Sequence, residues 1–180
     1  MSDVAKLYQD LENWMDKKLV IITGMHRSGT SALAQLIAAS GWDAGGNLMP
    51  ADDDNPKGYF EDFDIFRLNN KLLSHLFLRW DQVEEFDKRR INLYHQKLIK
   101  LFAQEAVDIF VKKFKESDLI LVKDPRFSIL MPFWDTVFNQ LKVEVTHYHI
   151  IRNPLSVAKS LKKRNPFPVR NGLMLYYYYN

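Results

Sequence analysis

Cysteine is absent from the 180-residue sequence, and this absence excludes three kinds of chemistry. Without cysteine there is no disulfide scaffold, no thiolate metal site and no cysteine nucleophile. The composition fits a reducing compartment, and we predict a cytoplasmic protein. The longest apolar runs, such as residues 19–22, are far shorter than the ~20 residues of a membrane-spanning helix. The charged N-terminus has no signal-peptide core, so we expect no membrane span.

Apolar and aromatic residues are plentiful, by contrast. Hydrophobic residues make up 47% of the chain, with 12 Phe, 8 Tyr and 4 Trp, which excludes disorder as the default state. The length fits a single domain over residues 1–180. The net charge of +3 is too small to indicate a nucleic-acid partner. From Lys142 onward, however, there are seven lysines and arginines and only one acidic residue, which favours an anionic ligand near the C-terminus.

Short apolar runs alternate along the chain with segments of helical periodicity. Strands are predicted at 19–23, 119–122 and about 143–151, and residues 42–60, rich in Gly, Asp, Asn and Pro, are predicted to be loop. Helices are predicted over 3–16, from 31 to a stop at Gly41, around 65–76, over 91–114, through 133–138, from 154 and from about 171. This alternation predicts an α/β fold with three α/β/α layers around a central parallel sheet. Since such sheets usually have more than three strands, we expect either a missing C-terminal portion or an abbreviated fold.

The turn after the first predicted strand has the features of an anion-binding loop. Gly24 and Gly29 stand five apart between a buried strand and a helix, which matches the glycine frame of a Walker loop. Backbone N–H groups and a helix N-terminus can cradle an anion there. Thr30 occupies the position of the Walker lysine, whereas Arg27 supplies a cation inside the loop. His26 is interpreted as a packing residue of this loop.

A second arginine follows the third predicted strand. Arg152 stands at a carboxyl end of the sheet, where open α/β sheets bind ligands. Asn153 and Pro154 then begin a helix as cap and first residue. Ser156 and Ser160 share one face of that helix. Arg152 and Ser160 together could hold a phosphate group.

The two motifs together resemble those of the sulfotransferase family, which uses 3′-phosphoadenosine 5′-phosphosulfate (PAPS) as donor. Arg27-Ser28-Gly29-Thr30-Ser31 resembles the family's 5′-phosphosulfate loop, and Arg152 with Ser160 matches its R-x₇-S motif for the 3′-phosphate. Residues 57–61 and 123–126 look like the bacterial branch that acts on carbohydrate or small-molecule hydroxyls. The resemblance covers residues 19 to about 162 and implies a P-loop NTPase-like sulfotransferase fold.

The resemblance also implies roles for individual residues. Arg27 would stabilise charge on the departing nucleotide, and Ser28, Gly29, Thr30 and Ser31 would hold the 5′-phosphate. Lys123 would assist the transferring sulfonate or form a salt bridge with a neighbouring carboxylate.

A hydroxyl acceptor needs a base, and four groups are candidates. Glu61 is preferred because related enzymes place a glutamate base after the first crossover helix, with Asp124, Asp62 and His26 as alternatives. No metal is required, and PAPS is the expected co-substrate. Loops 42–60 and 77–92 would shape the acceptor pocket, with Tyr59, Trp80 and Arg126 as candidate contacts. Oligomeric state is left open.

Other patterns and functions compete with this hypothesis. A solvated loop explains Asp52-Asp53-Asp54-Asn55, and sheet packing explains His147 and His149, better than metal binding does. The run Tyr176–Tyr179 predicts a buried or interface helix.

A P-loop kinase or NTPase, with Asp124 holding magnesium, is one alternative function. A non-catalytic nucleotide or anion sensor, or an RNA-binding module using 162–164 and Phe167, is another. The family also has a closing segment after its second motif, which we expect to be absent or very short in this chain.

Overall fold

A computed structural model describes residues 14–82, 88–165 and 168–180. The first strand, β1 (Lys18–Thr23), pairs in parallel with both β2 (Leu119–Lys123) and β3 (Glu144–His149), so the strand order is β2-β1-β3. Leu19 aligns with Ile120 on one side and with Val145 on the other. This arrangement confirms the predicted parallel sheet and α/β class. It also brings the carboxyl ends of all three strands to one edge of the sheet.

Helices occupy the connections between the strands. The described residues include α1 (Thr30–Ala39), α2 (Phe63–His75), α3 (Lys88–Phe114), α4 (Phe127–Leu141), α5 (Pro154–Arg164) and α6 (Val169–Tyr179). Most bounds lie within a few residues of the prediction, although α3 begins inside the predicted loop 77–92. The predicted helix 3–16 lies outside the described residues except for 14–16, which form a turn. Phe167, offered as an RNA contact, also lies outside the described residues.

The core is divided by the sheet. On one face Val20, Ile22 and Leu121 pack against Ala34 of α1. On the other face Leu19 and Ile21 join a larger cluster drawn from α2 to α6. Strand side chains alternate between the two faces, so the continuous apolar sequence of β1 is buried on both. Helices therefore cover both faces of the sheet.

The third strand departs from the prediction of short buried strands. All six residues of β3 are exposed, and Tyr148 retains 45% of its accessible surface. β3 lies at an edge of the sheet, and four of its six residues, Glu144, Thr146, His147 and His149, are polar, which suits a strand that faces water. Leu36, predicted to lie in the apolar stripe of α1, is 66% exposed. The ten-residue helix α1 covers only a small cluster, which does not reach Leu36.

Local signals at the helix ends are confirmed. Asn153 caps α5 by accepting a hydrogen bond from the Ser156 amide at 3.0 Å, with Pro154 as first helical residue. Gly41 follows α1 in a left-handed conformation.

Of the last tyrosines, Tyr179 is 2% exposed whereas Tyr177 is 76% exposed, so the helix α6 turns only one side inward. Within the described part of the chain, none of the helices combines the length and the apolar character needed to cross a membrane.

Candidate functional site

The loop after β1 presents backbone donors at the carboxyl edge of the sheet. Gly29 caps α1 in the left-handed region, and Thr30 and Ser31 are the first residues of that helix. The N–H groups of a first helical turn have no acceptor within the helix, so they are free for an anion. Arg27 has a positive φ of 68°, an uncommon conformation for a residue with a side chain. The backbone of the loop thus sets the direction in which the Arg27 side chain leaves it.

Arg27 connects the two motifs that the sequence predicts to bind phosphate groups. Its Nε donates a hydrogen bond to Ser160 Oγ at 3.0 Å, across 133 positions of sequence. Arg152 in turn donates from a terminal nitrogen to the Arg27 carbonyl oxygen at 2.9 Å. A third contact runs from an Arg27 terminal nitrogen to the Asp54 carbonyl oxygen at 2.9 Å. The motifs therefore meet at one place.

A cavity of about 240 Å³ opens beside this junction. It is lined by residues of the loop and of α1, by Arg152 and Arg164, and by Tyr59 and Glu61. Its charged lining residues are Arg27, Asp54, Glu61, Lys123, Arg152 and Arg164. Because cations outnumber acids, the cavity favours an anionic ligand.

Two of the predicted donor-binding residues, Ser28 and Ser160, lie outside the lining of this cavity. Ser28 is 6% exposed, and its buried hydroxyl has no hydrogen-bond partner among the described residues. Ser160 contacts the cavity through Arg27. Ser31 does line the cavity, and its hydroxyl donates to the Tyr59 carbonyl oxygen at 3.2 Å. The structure therefore brings Arg27, Gly29, Thr30, Ser31 and Arg152 to the cavity wall.

Glu61 lines the cavity and lies between two cations. Lys123 Nζ is 2.6 Å from Glu61 Oε1, and a terminal nitrogen of Arg126 is 3.5 Å from Oε2. Burial raises the pKa of Glu61 above its usual value, and the attraction of Lys123 opposes that rise. Lys123 also donates to the Tyr59 carbonyl oxygen at 2.9 Å. Glu61 and Lys123 thus form the salt bridge that the sequence left as one of two roles for Lys123.

The alternative carboxylates are engaged elsewhere. Asp124 accepts hydrogen bonds from Asn69 Nδ2 at 3.0 Å and from a terminal nitrogen of Arg126 at 2.9 Å. Asp62 caps α2 and pairs with Lys113 Nζ at 2.9 Å. Neither lines the cavity. Among the predicted bases, only Glu61 and His26 do so.

His26 lines the cavity and lies against two aromatic rings, those of Trp80 and Tyr179. Its ring centroid is 4.7 Å from that of Trp80, and its buried Nε2 has no hydrogen-bond partner in the described part of the chain. Burial, followed by the charge of Arg126, lowers the pKa of His26 well below the usual histidine value. The imidazole is therefore neutral at pH 7. Its predicted role in loop packing stays compatible with these contacts.

The sequence predicted a role for Arg164 only within the basic run 162–164 of the RNA-binding alternative, and none in the sulfotransferase site. Arg164 lines the cavity and lies four positions after Ser160 in α5, so both residues face the same way. That spacing was the signal in the sequence that could have identified Arg164. Asn55 also lines the cavity, and its amide nitrogen is 3.3 Å from Ser31 Oγ.

The patterns considered for metal binding have other partners. Asp52 accepts a hydrogen bond from the Tyr59 hydroxyl at 2.7 Å. His147 and His149 both contact Thr23 Oγ1, at 2.7 and 2.8 Å. Within the ranges that the structure describes, no group of three His, Cys, Asp or Glu side chains is arranged to hold a metal ion.

Comparison with known proteins adds no relative to this description. No family model matches the chain, and neither the curated proteins nor the solved structures give a significant match. The interpretation of the site therefore rests on its geometry and on its motifs.

Proposed function

We propose that this protein is a sulfotransferase that moves a sulfuryl group from PAPS to a hydroxyl of a carbohydrate or another small molecule. The hydrogen bond between Arg27 and Ser160 carries the proposal, because it joins the loop for the 5′-phosphosulfate to the R-x₇-S motif for the 3′-phosphate. The proposed fold is the P-loop NTPase-like sulfotransferase fold. A cytoplasmic location is part of the proposal.

The residues present fit such a donor. Arg27 and Arg152 make no ion pair with a carboxylate among the described residues, so both guanidinium groups are free to pair with an anion. Thr30 and Ser31 would bind the 5′-phosphate through their amide groups. Arg152 and Ser160 would bind the 3′-phosphate, the group that distinguishes this donor from ADP. Arg27 would neutralise charge on the departing nucleotide.

Transfer then needs a base on the acceptor side. Glu61 would take the proton from the acceptor hydroxyl as that oxygen bonds to sulfur. The bond from sulfur to the 5′-phosphate oxygen would break, leaving adenosine 3′,5′-bisphosphate. Lys123, 2.6 Å from Glu61, would balance charge on the sulfonate in transit. In-line positioning and charge neutralisation provide most of the catalysis in the related case of phosphoryl transfer.

The kinase alternative fits these residues less well. Thr30 stands in the Walker lysine position, and the Asp124 carboxylate is bonded by Asn69 and Arg126. A magnesium-holding aspartate would have to leave those partners.

Thermal unfolding with three ligands at equal concentration tests the proposal. Adenosine 3′,5′-bisphosphate should raise the melting temperature, whereas ADP and Mg·ATP should not. A ligand present at about 100 times its Kd adds about 2.7 kcal/mol to the free energy of unfolding. Stabilisation by Mg·ATP alone would instead indicate a kinase.

Two variants locate the bound nucleotide. Arg152→Ala and Ser160→Ala should each weaken bisphosphate binding about tenfold, the effect of about 1.4 kcal/mol from one hydrogen bond to a charged group. Ser156→Ala is the matched control, because Ser156 lies one turn earlier on α5. Equal losses in Ser156→Ala and Ser160→Ala would contradict the assignment of the 3′-phosphate.

A further inference from the structure

A second cavity, of about 330 Å³, adjoins the first. It is lined by residues that include Tyr59, Glu61, Phe66, Trp80, Arg126 and Arg164. The loop residues Gly29, Thr30 and Ser31 line only the first cavity, as does Arg152. Glu61 is shared by both cavities. The second cavity therefore reaches the proposed base, but Gly29, Thr30, Ser31 and Arg152 do not line it. An acceptor has to lie in such a position.

Arg164 brings to this second cavity a cation that has no ion-pair partner among the described residues. Its guanidinium lies 5.1 Å from the centre of the Trp80 ring, and its Nε donates to the neighbouring Asn165 Oδ1 at 2.7 Å. No carboxylate within the described residues forms an ion pair with it. Burial and the nearby charge of Arg27 both lower the pKa of Arg164. Asp54 and Glu61, which line the same cavity, oppose this fall in the pKa, but neither lies within ion-pair distance of the guanidinium. A partly buried cation without an ion-pair partner is costly, which points to an anionic ligand beside it.

Arg126, the other arginine of this cavity, is already neutralised. It donates to Asp124 at 2.9 Å and lies 3.5 Å from Glu61 Oε2. Its Nε donates to Asn70 Oδ1 at 3.0 Å, and its guanidinium packs 4.5 Å from the centre of the Phe66 ring. The positive charge of Arg126 is therefore compensated by carboxylates of the protein itself. The contrast leaves Arg164 to recognise the anionic group of a ligand.

We infer that the second cavity binds acceptors that carry a carboxylate or sulfate near the hydroxyl to be modified, and that Arg164 pairs with this anionic group. The inference rests on the proposed sulfotransferase function and names the class of acceptor. A carboxylate is planar and a sulfate is tetrahedral, and the guanidinium fork can bind two oxygens of either group.

Matched acceptor pairs test this inference. Methyl β-D-glucuronide and methyl β-D-glucoside differ by a carboxylate in place of a hydroxymethyl group, and methyl β-D-glucoside 6-sulfate places a sulfate at the same carbon. Their Kd values would be measured with adenosine 3′,5′-bisphosphate present. We expect the two anionic probes to bind about tenfold more tightly than the neutral glucoside, and the stronger of the two identifies the preferred anion.

Arg164→Gln should abolish this preference. Lys162→Gln is the control, because it removes the same charge from an exposed position of the same helix. Equal binding of the three probes to the wild-type protein, or no binding of any of them, would overturn the inference. A preference that survives in Arg164→Gln would overturn it as well.

The same variant separates this inference from the proposed function. Arg164 is one of four cations that line the first cavity, so Arg164→Gln should retain most of the thermal shift given by adenosine 3′,5′-bisphosphate, with a reduction no larger than that in Arg152→Ala. Loss of that shift in the variant alone would assign Arg164 to the donor and overturn its acceptor role. Absence of the shift in the wild-type protein would instead contradict the sulfotransferase proposal, whatever the acceptor probes show.

Discussion

Glu61 is a single residue whose surroundings set both its charge and its position. It is 4% exposed and held by Lys123 and Arg126, so its carboxylate is fixed at the boundary of the two cavities. A base must lie within hydrogen-bond distance of the proton it removes, and a fixed carboxylate meets this requirement without reorganisation.

Replacing this carboxylate should separate binding from transfer. In Glu61→Gln we expect bisphosphate affinity to be unchanged and the turnover number to fall about 100-fold or more, the usual contribution of a general base. Asp54→Asn is the control, because Asp54 also lines the first cavity but is not placed as a base. Melting temperatures are needed for both variants, since disrupting a buried ion pair can cost about 3–5 kcal/mol. Normal turnover in folded Glu61→Gln would exclude Glu61 as the base.

The pH dependence of transfer follows from the same carboxylate. Only ionised Glu61 can accept a proton, and burial raises its pKa above 4.5. Activity should therefore be lost as the pH falls through this raised value, with the acidic limb above that of an ordinary glutamate. A profile of turnover number against pH measures the limb. An acidic limb at or below 4.5 would contradict this environment for the base.

At the scale of elements, the pairing of α5 with α6 positions the second half of the site. α5 carries both Ser160 and Arg164, and it packs closely on Gly172 of α6. A Cβ at Gly172 would lie 2.9 Å from the Cα of Ala158, closer than real contacts allow. Glycine is needed there because the two backbones approach each other.

Gly172→Ala should therefore destabilise the protein, although alanine favours a helix by about 1 kcal/mol. We expect a net loss of about 1–3 kcal/mol from overpacking, measured by denaturant unfolding. Bisphosphate binding should weaken too, because α5 has to shift. Gly46→Ala is the control, since a Cβ added at Gly46 would have no atom within 4 Å of it. Similar stabilities for the two variants would show that the α5–α6 contact tolerates the methyl group.

The elements differ in how far their sequences define them. β1 and β2 are predictable because a continuous apolar run fits burial on both faces, and Asn153-Pro154 marks the start of α5 directly. The exposure of β3 depends on strand order, which no local pattern specifies. Within the site, spacing identifies Arg152 and Ser160. The pairing of Glu61 with Lys123 joins residues 62 positions apart and depends on where the segment before α2 lies relative to the end of β2.

At the scale of the whole molecule, Gly24 is where three elements meet. It follows β1, its N–H donates to Ser128 Oγ in α4 at 3.0 Å, and a Cβ on it would lie 2.5 Å from the Ile150 carbonyl oxygen just after β3. Its φ of 127° also lies outside the range that other residues readily adopt.

Gly24→Ala should reduce the free energy of unfolding by more than about 2 kcal/mol and disturb the donor loop that follows. Gly41→Ala is the control, because Gly41 has a positive φ of 92° but no atom within 4 Å of the point where an added methyl group would lie. The difference between the two variants isolates the clash with Ile150 from backbone strain. Equal losses, measured by thermal and denaturant unfolding, would show that strain alone accounts for the glycine.

The contact between Arg27 and Ser160 also determines the stage of chain synthesis at which the site can form. The two residues stand 133 positions apart, and translation proceeds at about 5–20 residues per second. The first loop is therefore synthesised roughly 7 to 27 seconds before the helix that completes it. During that interval the growing chain has an arginine without its serine partner, and the proposed nucleotide site is incomplete until α5 has been synthesised.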